Sequence, residues 1–207
     1  MTDALTNATF EISEEELRWM VLNREHLPEE LRDFEIFREG ILDNATMAEQ
    51  GFPGHTADSF SRLGRITGYM REFGTPKERF LSGDGTELVA ATVAHLFRDD
   101  KAVHRWMEDV FVKRFEEHVG MKTDDGHEIV TGEKISVAGF HDEAVGMWAL
   151  QRGPNGHVSS TVIDFRVGRI LGVAYLVVSG KSKRESLVES MAAELERQIV
   201  RVVLGSA

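Results

Sequence analysis

The chain has 207 residues, of which 42% are hydrophobic and 29% are charged, and it contains no cysteine. This balance predicts one folded domain with an ordinary core and an appended segment, and it excludes a disordered or collagen-like chain. The lack of cysteine excludes disulfides, thiol nucleophiles and thiolate metal sites. No apolar run reaches the ~18 residues of a membrane-spanning helix, so we expect no membrane insertion.

The formal charge is -11, and it is concentrated in the first 50 residues, which hold 13 acidic and four basic side chains. Phosphate binding needs a concentrated basic face, so the sequence predicts no nucleic-acid binding. Two interpretations of the acidic segment stay open. It is either a solubilising surface or a segment that docks a basic protein partner.

Residues 1–54 are predicted to form an acidic, largely helical N-terminal arm. Its elements are a helix over 14–23 that a capping box of Ser13 and Glu16 begins, a strand over 34–42 and a short helix over 44–50. The Gly/Pro-rich stretch 51–54 marks the edge of the main domain, which then covers 55–207.

The main domain is predicted to contain groups of strands, each group followed by one long helix. The strands cover 62–73, 86–97, 129–137, 144–151, 158–167 and 170–178, and the helices cover 99–119 and the region from a second capping box, Ser182 and Glu185, to about Leu204. The strand over 86–97 has apolar residues on both faces and should be central. This order favours an α+β fold: a mostly antiparallel sheet of six or seven strands with two long amphipathic helices packed on it.

A short internal echo accompanies this pattern, since residues 64–68 read GRITG and residues 168–172 read GRILG. It is consistent with two strand-strand-helix halves, 55–120 and 127–207. A chance match between short glycine-rich strands explains it equally well.

The helix over 99–119 suggests where a ligand would bind. Its apolar residues span an arc wider than the ~100° stripe of a surface helix, and polar residues fall inside or at the edge of that arc. Polar groups buried alone cost several kcal/mol, so they need partners. This predicts a small-molecule site between the helix and the sheet, with the ligand set His104, Glu108, Phe111, Arg114, His118 and Trp148. Pairing of the polar side chains with their neighbours, and core packing of the aromatic ones, is the alternative.

No cofactor or metal is predicted. His104 and His118 lie 14 residues apart, or roughly 21 Å along a helix, so they cannot share one ion. His95, on the predicted central strand, is expected to be a hydrogen-bonded core histidine. The chain has neither the Gly-x-Ser-x-Gly elbow of a serine hydrolase nor a Walker or Rossmann phosphate loop.

The run His141-Asp142-Glu143 offers a hydrolase-like alternative, with a carboxylate as general base beside the imidazole. Adjacent strand residues point to opposite faces, so these side chains converge only in a loop. A polar strand entry in which Asp142 closes a turn is the competing interpretation.

Several segments resemble one class of bacterial proteins. They are residues 20–22 with Leu27-Pro28, then 64–69, 140–144 and 165–170, followed by the last amphipathic helix. In this order, over residues 14–204, they resemble uncharacterised extracytoplasmic lipoprotein and sensor-type domains, whose fold is similar to that of PsbP-like α+β proteins. The resemblance implies a non-enzymatic function. A signal sequence or lipobox, which such proteins carry, is not found in this sequence.

The sequence is therefore compatible with three functions. The first is a non-catalytic ligand-binding or sensor-like module. The second is a protein-interaction or structural module that uses the acidic arm, for which a homo-oligomer is compatible with the sequence. The third is a hydrolase-like enzyme around His141-Asp142-Glu143. The chain is expected to be cytoplasmic if Met1 is the native start, and extracytoplasmic if a leader has been removed.

Overall fold

A computed structural model describes residues 4–50, 55–76, 87–122, 128–154 and 156–205, without the side chains of Gln50, Glu87 and Arg114. Its centre is a seven-stranded sheet in the order β1-β2-β3-β7-β6-β5-β4, in which every neighbouring pair is antiparallel. The strands are β1 (Glu35–Ile41), β2 (Arg65–Gly74), β3 (Glu87–Phe97), β4 (Glu128–Ile135), β5 (Ala144–Gly153), β6 (Gly156–Val167) and β7 (Ile170–Ser179). The predicted α+β class and the central position of β3 are confirmed.

Two long helices pack on the sheet. The middle helix covers residues 100–117 in three consecutive parts, and the C-terminal helix is Glu185–Val203. In the described residues, four short α-helices precede them, Ala4–Ala8, Leu17–Met20, Asn44–Gln50 and Ala57–Arg62, together with several 3₁₀ turns. In the described part of the chain, no helix combines the length and apolar character needed to cross a membrane.

The two helices cover opposite faces of the sheet. Side chains alternate between faces along a strand, so each strand contributes to two separate cores. The rear face, which carries Ala90, Ile163 and Leu176, packs against the C-terminal helix and the N-terminal arm. The front face, which carries Val93 and Val173, packs against the middle helix.

The N-terminal arm packs on the rear face up to Phe34, continues as the edge strand β1, and then passes to the front face, where Leu42 and Met47 pack. Leu17, Met20 and Leu31 are fully buried there, and β1 pairs with β2. The predicted domain boundary at 51–54 falls outside the described residues, so the division into arm and domain stays a prediction.

The first capping box is confirmed, but its helix is shorter than predicted. Glu16 accepts a hydrogen bond from the Ser13 backbone N–H at 2.7 Å. Only a 3₁₀ turn (Glu14–Glu16) and one α-helical turn follow before the chain becomes extended at Val21. The reason is tertiary: the Leu22 backbone N–H donates to the hydroxyl of Thr92 on β3 at 3.1 Å instead of to a helical carbonyl.

The prediction of a second capping box, formed by Ser182 and Glu185, is wrong. The C-terminal helix begins after Arg184, which adopts a left-handed conformation (φ 53°) and makes no side-chain cap. The backbone before it is held to the sheet, because the Ser182 carbonyl accepts from the hydroxyl of Ser159 at 2.9 Å. The helix Ala57–Arg62, capped by Thr56, was also not predicted.

The middle helix is not a regular α-helix. Asp99 caps it, accepting from the Ala102 N–H at 2.7 Å. Its central part, Trp106–Val112, is π-helical and separates the α-helical parts Asp100–Arg105 and Lys113–Glu117. A constant turn of 100° per residue therefore misplaces side chains beyond this segment.

The internal echo stays a prediction. Gly64 and Gly168 both adopt positive φ angles, 91° and 56°, in the turn before a strand. The long helices that follow the two segments lie on opposite faces of the sheet.

Gly172 tests the packing of the rear face. It lies opposite Phe165 across β6 and β7, and a Cβ atom there would come within 2.2 Å of the phenyl ring. That ring is stacked on Phe140 at a centroid distance of 5.1 Å and has little room to move. We expect Gly172→Ala to lower the free energy of unfolding by about 1–3 kcal/mol, measured by urea denaturation. Ser179→Ala, exposed on the same strand, should change it by less than about 0.5 kcal/mol. Equal effects of the two substitutions would contradict this packing.

Candidate functional site

The predicted ligand residues of the middle helix do not point into the interior as a group. His104 and Glu108 are exposed, while Phe111 and His118 are half-buried. The ring of Phe111 packs edge-on against Phe115 at a centroid distance of 5.4 Å. The Arg114 side chain lies outside the described part of the structure.

Trp148 lies on the opposite side of the sheet. Its ring is buried in the rear core, where the Lys183 ammonium sits 4.9 Å from the ring centroid. Strand parity explains this, because Trp148 pairs with Glu133 and Thr161 across the sheet. The structure therefore does not bring Trp148 together with His104. Whether any residue of the predicted set touches a ligand stays a prediction.

The exposed end of the middle helix is joined to the sheet by an ionic cluster. His104 Nδ1 lies 2.8 Å from Glu143 Oε2, and Arg166 Nε donates to the other oxygen of Glu143 at 2.7 Å. Arg166 also contacts Asp142 at 3.1 Å, and Asp142 accepts from the Gly168 N–H at 2.9 Å. The loop thus brings Asp142 and Glu143 to one arginine, and His104 is paired locally.

The same contacts determine the charge state of Glu143. Partial burial acts to raise the pKa of Glu143, but the hydrogen bonds from His104 and Arg166 outweigh it, so the pKa lies below its ordinary value. A carboxylate with a lowered pKa is a weak proton acceptor at neutral pH. The geometry therefore fits an ionic tie between helix and sheet better than a general base.

The buried ionisable side chains share one location. Within the described residues, Arg65, Glu72, His95 and Asp164 are the ionisable side chains with an exposed fraction of 5% or less. Strand registry places all four on the front face. The buried polar groups of the rear face of the sheet are uncharged: they include the hydroxyls of Thr92 and Thr161 and the indole N–H of Trp148, which has no hydrogen-bond partner among the described residues. Charged residues are rarely buried without a partner, so the surroundings of each decide what it does.

Arg65 and His95 form a satisfied cluster. Arg65 donates to Asn44 Oδ1 at 2.6 Å, to the Leu42 carbonyl, and to His95 Nδ1 at 3.2 Å. Burial lowers the pKa of Arg65 to about 9 and, with the nearby Arg65 charge, lowers that of His95 well below its usual range. His95 is thus a neutral acceptor, which confirms the predicted hydrogen-bonded core histidine. This cluster ties β1, β2 and β3 together.

Glu72 is also partnered. It accepts from Arg38 Nε at 2.6 Å and from the Tyr175 hydroxyl. Burial and this hydrogen bond raise the pKa of Tyr175, so the phenol stays protonated and donating. The three side chains link β1, β2 and β7 across the front face.

Asp164 differs from the other three. Its exposed fraction is 2%, and its carboxyl makes no hydrogen bond to any residue in the described part of the chain. Its cross-strand neighbours are Val145 and Val173, which pack in one apolar cluster with Met107 of the middle helix. Burial raises the pKa of Asp164 well above its ordinary value. The result is a carboxyl whose protonated form is favoured by burial, without a described partner, between the middle helix and the sheet.

The sheet beside Asp164 is less covered on its front face than on its rear face. On β6 and β7 the front-facing residues Ser160, Val162, Tyr175 and Val177 are half-buried. The residues that alternate with them, Thr161, Ile163, Leu176 and Val178, are buried on the rear face. These four front-facing residues, here called the front floor, form a largely apolar surface that leads to Asp164.

The grouping of acidic and histidine side chains limits what the site can bind. In the described residues, no three His, Asp or Glu side chains are grouped as metal ligands. Sequence patterning alone does not single out Asp164, because it alternates with Ile163 and Phe165 and shares its side of β6 with Arg166, a pattern typical of a solvent-facing position.

Comparisons with known proteins inform the fold. No protein-family model and no curated protein matches the sequence. Among solved structures, the chain is similar to the crystal structure of the extracellular domain of PknH from Mycobacterium tuberculosis. The TM-score is 0.59 at 9% sequence identity, and the match covers 90% of this chain and 97% of that one. At this identity the likeness concerns the fold.

The pH dependence of stability tests the environment of Asp164. Its pKa is raised in the folded state, so its contribution to stability is complete below the unfolded pKa, about 3.9, and is lost as the pH rises towards the folded pKa. Asp164→Asn should therefore match the wild type at pH 3.5 and become increasingly more stable than it from pH 5 to pH 8. Each unit between folded and unfolded pKa is worth about 1.4 kcal/mol.

The measurement is urea denaturation of both proteins at each pH. The control is Asp58→Asn, an exposed aspartate, which should show no growing difference above pH 5. A constant difference between Asp164→Asn and wild type across this range would contradict a buried carboxyl without a partner.

The ionic cluster gives a pH dependence of opposite sign. The pKa of Glu143 is lowered on folding, so its stabilisation is present above the unfolded pKa, about 4.3, and is lost as the pH falls through the folded pKa. We expect Glu143→Gln to lower the free energy of unfolding by roughly 1 kcal/mol at pH 7, allowing for solvent screening, and by nothing measurable near pH 3. Glu108→Gln, exposed on the helix, is the control and should have little effect at either pH. A loss that persists at pH 3 would show that the charge of Glu143 is not responsible.

Proposed function

We propose that this protein is a non-catalytic, sensor-like module that binds a small molecule on the front face of its sheet, beside the middle helix. The observation that carries the proposal is Asp164, which is buried between helix and sheet without a described partner. Leaving such a group unpaired costs roughly 1–3 kcal/mol, and a ligand that satisfies it recovers that cost.

The front floor supports this location. Ligand sites are mostly apolar surfaces with a few polar groups that orient the ligand. Val162, Val177 and the Tyr175 ring supply apolar surface, and Ser160 and Asp164 supply polar groups. Tyr175 already donates its hydroxyl to Glu72, so its ring is what it offers to a ligand.

The irregular middle helix also supports it. Short π-helical segments inside α-helices are found frequently at functional sites. Here the segment Trp106–Val112 carries Met107 and Val110, which pack in the same apolar cluster as the neighbours of Asp164. The region proposed to bind thus coincides with the departure from α-helical geometry.

A sensor-like and extracytoplasmic role is consistent with the fold. The solved structure that the chain is similar to is described as an extracellular domain. A non-catalytic role is supported by the engagement of the candidate carboxylates, since Asp142 and Glu143 are both bound by Arg166.

A ligand screen by thermal shift tests the proposal. The panel contains amino acids, primary amines, sugars, organic acids and nucleosides. A ligand at a hundred times its Kd that binds only the folded state adds about 2.7 kcal/mol, which raises the Tm of a chain of this size by roughly 5–10 °C. We expect at least one class to raise the Tm of the wild type.

The same compound should lose most of its effect on Asp164→Leu, which removes the polar group. The matched control is Ile163→Val, the adjacent residue on β6, which faces the rear core. It should lower the starting Tm and keep the ligand-induced rise. A panel in which no compound stabilises the protein, or a hit that Asp164→Leu leaves unchanged, would overturn the proposal.

A further inference from the structure

The partners of the charged side chains on the front face indicate which chemical class of ligand the site binds. This inference rests on the proposed function and concerns the same site. We propose that the site binds a primary amine attached to an apolar group, with the ammonium at the Asp164 carboxylate and the apolar part on the front floor.

The first step is the charge balance around Asp164. The described ionisable groups of the sheet nearest to Asp164 are Arg166 on β6, Tyr175 on β7, Glu72 on β2, Arg38 on β1, and Glu143 and Asp142 before β5. The middle helix adds exposed charges, among them Lys101, His104, Arg105, Glu108 and Asp109. Arg166 faces two carboxylates, Asp142 and Glu143. Arg38 is paired with Glu72. These cations are therefore already balanced by acids.

The remaining buried cation is remote. Arg65 begins β2, which is three strands away from β6 in the sheet order. Its guanidinium is directed to Asn44, Leu42 and His95. On the sheet itself, the described cations near Asp164 are thus paired with acids, and Lys101 and Arg105 of the middle helix are exposed to solvent, which screens their repulsion of a ligand cation.

The second step is the preference of a buried carboxyl. An isolated carboxylate is costly in an apolar environment, and an opposite charge in direct contact offsets that cost more than a neutral hydrogen bond does. A neutral ligand with an acceptor would use the protonated form of Asp164, whereas an ammonium ligand uses the ionised form. The ammonium is favoured because Coulombic attraction is stronger where water is excluded.

The third step is the shape of the surface. Val145, Val162 and Val173 surround the carboxyl, and the Tyr175 ring continues the apolar floor. An amine with an attached ring or short chain buries its apolar part there while its ammonium reaches Asp164. A small hydrophilic amine would leave this surface exposed and gain less.

The binding step conserves charge and protons. The protonated carboxyl of Asp164 meets an alkylammonium ion, an ion pair forms, and the carboxyl proton passes to the solvent. Binding therefore releases a proton from each molecule whose Asp164 carboxyl was protonated beforehand. A neutral ligand of the same shape releases none.

Isothermal titration with 2-phenylethylamine and its neutral analogue 2-phenylethanol, at pH 7, tests the inference. The amine should bind at least tenfold more tightly than the alcohol. Repeating the titration in phosphate and in HEPES, whose ionisation enthalpies differ, should show a net release of protons with the amine. Asp164→Asn should remove both the preference and the proton release, and Ile163→Val should retain both.

The outcomes separate this inference from the proposed function. Equal binding of amine and alcohol, or binding of the amine without proton release, overturns the amine assignment and leaves a ligand site on the front face. If the amine does not bind but another class in the thermal-shift panel binds through Asp164, the amine assignment is also overturned and the ligand site remains. Failure of the whole panel overturns the proposed function as well.

Discussion

Successive side chains of a strand point to opposite faces of a sheet, and in this protein that alternation separates two kinds of surface. The rear face is apolar and is sealed by the C-terminal helix and the N-terminal arm. The front face holds the buried ionisable residues of the described sheet. Because the two surfaces share the same strands, burial on the rear face stabilises the backbone that positions the charged groups on the front face.

The four buried ionisable residues illustrate two uses of a buried polar group. Arg65 and His95 satisfy each other with Asn44 and a backbone carbonyl, and Glu72 is held by Arg38 and Tyr175. Such networks join strands and specify their arrangement. Asp164 has no described partner, so its burial lowers the stability of the fold and no hydrogen bond compensates for that cost. Buried ionisable groups without a partner are concentrated at functional sites, so the exception at Asp164 points to a function.

The middle helix connects these features. At one end the cluster of His104, Glu143 and Arg166 joins it to the sheet on its exposed side. Its π-helical centre places Trp106, Met107 and Val110 on the front core. An occupant beside Asp164 would touch the part of the helix that departs from regular geometry. A ligand there would therefore act on the one long element that is not sealed into the rear core.

The sequence by itself determined the α+β class, the strand positions, the central place of β3 and the Ser13 cap, because hydrophobic period and capping are local patterns. Tertiary structure decided the rest. The hydrogen bond from Leu22 to Thr92, which is distant in sequence, ended the first helix after Met20. The hydrogen bond from Ser159 to Ser182 held the backbone before the C-terminal helix to the sheet. Packing of the middle helix on the sheet left His104 and Glu108 exposed, and strand pairing set Trp148 on the rear face. The alternation of β6 puts Asp164 on the same side as Arg166, which is typical of a solvent-facing side, so both its burial and its lack of a described partner depend on elements far from it along the chain.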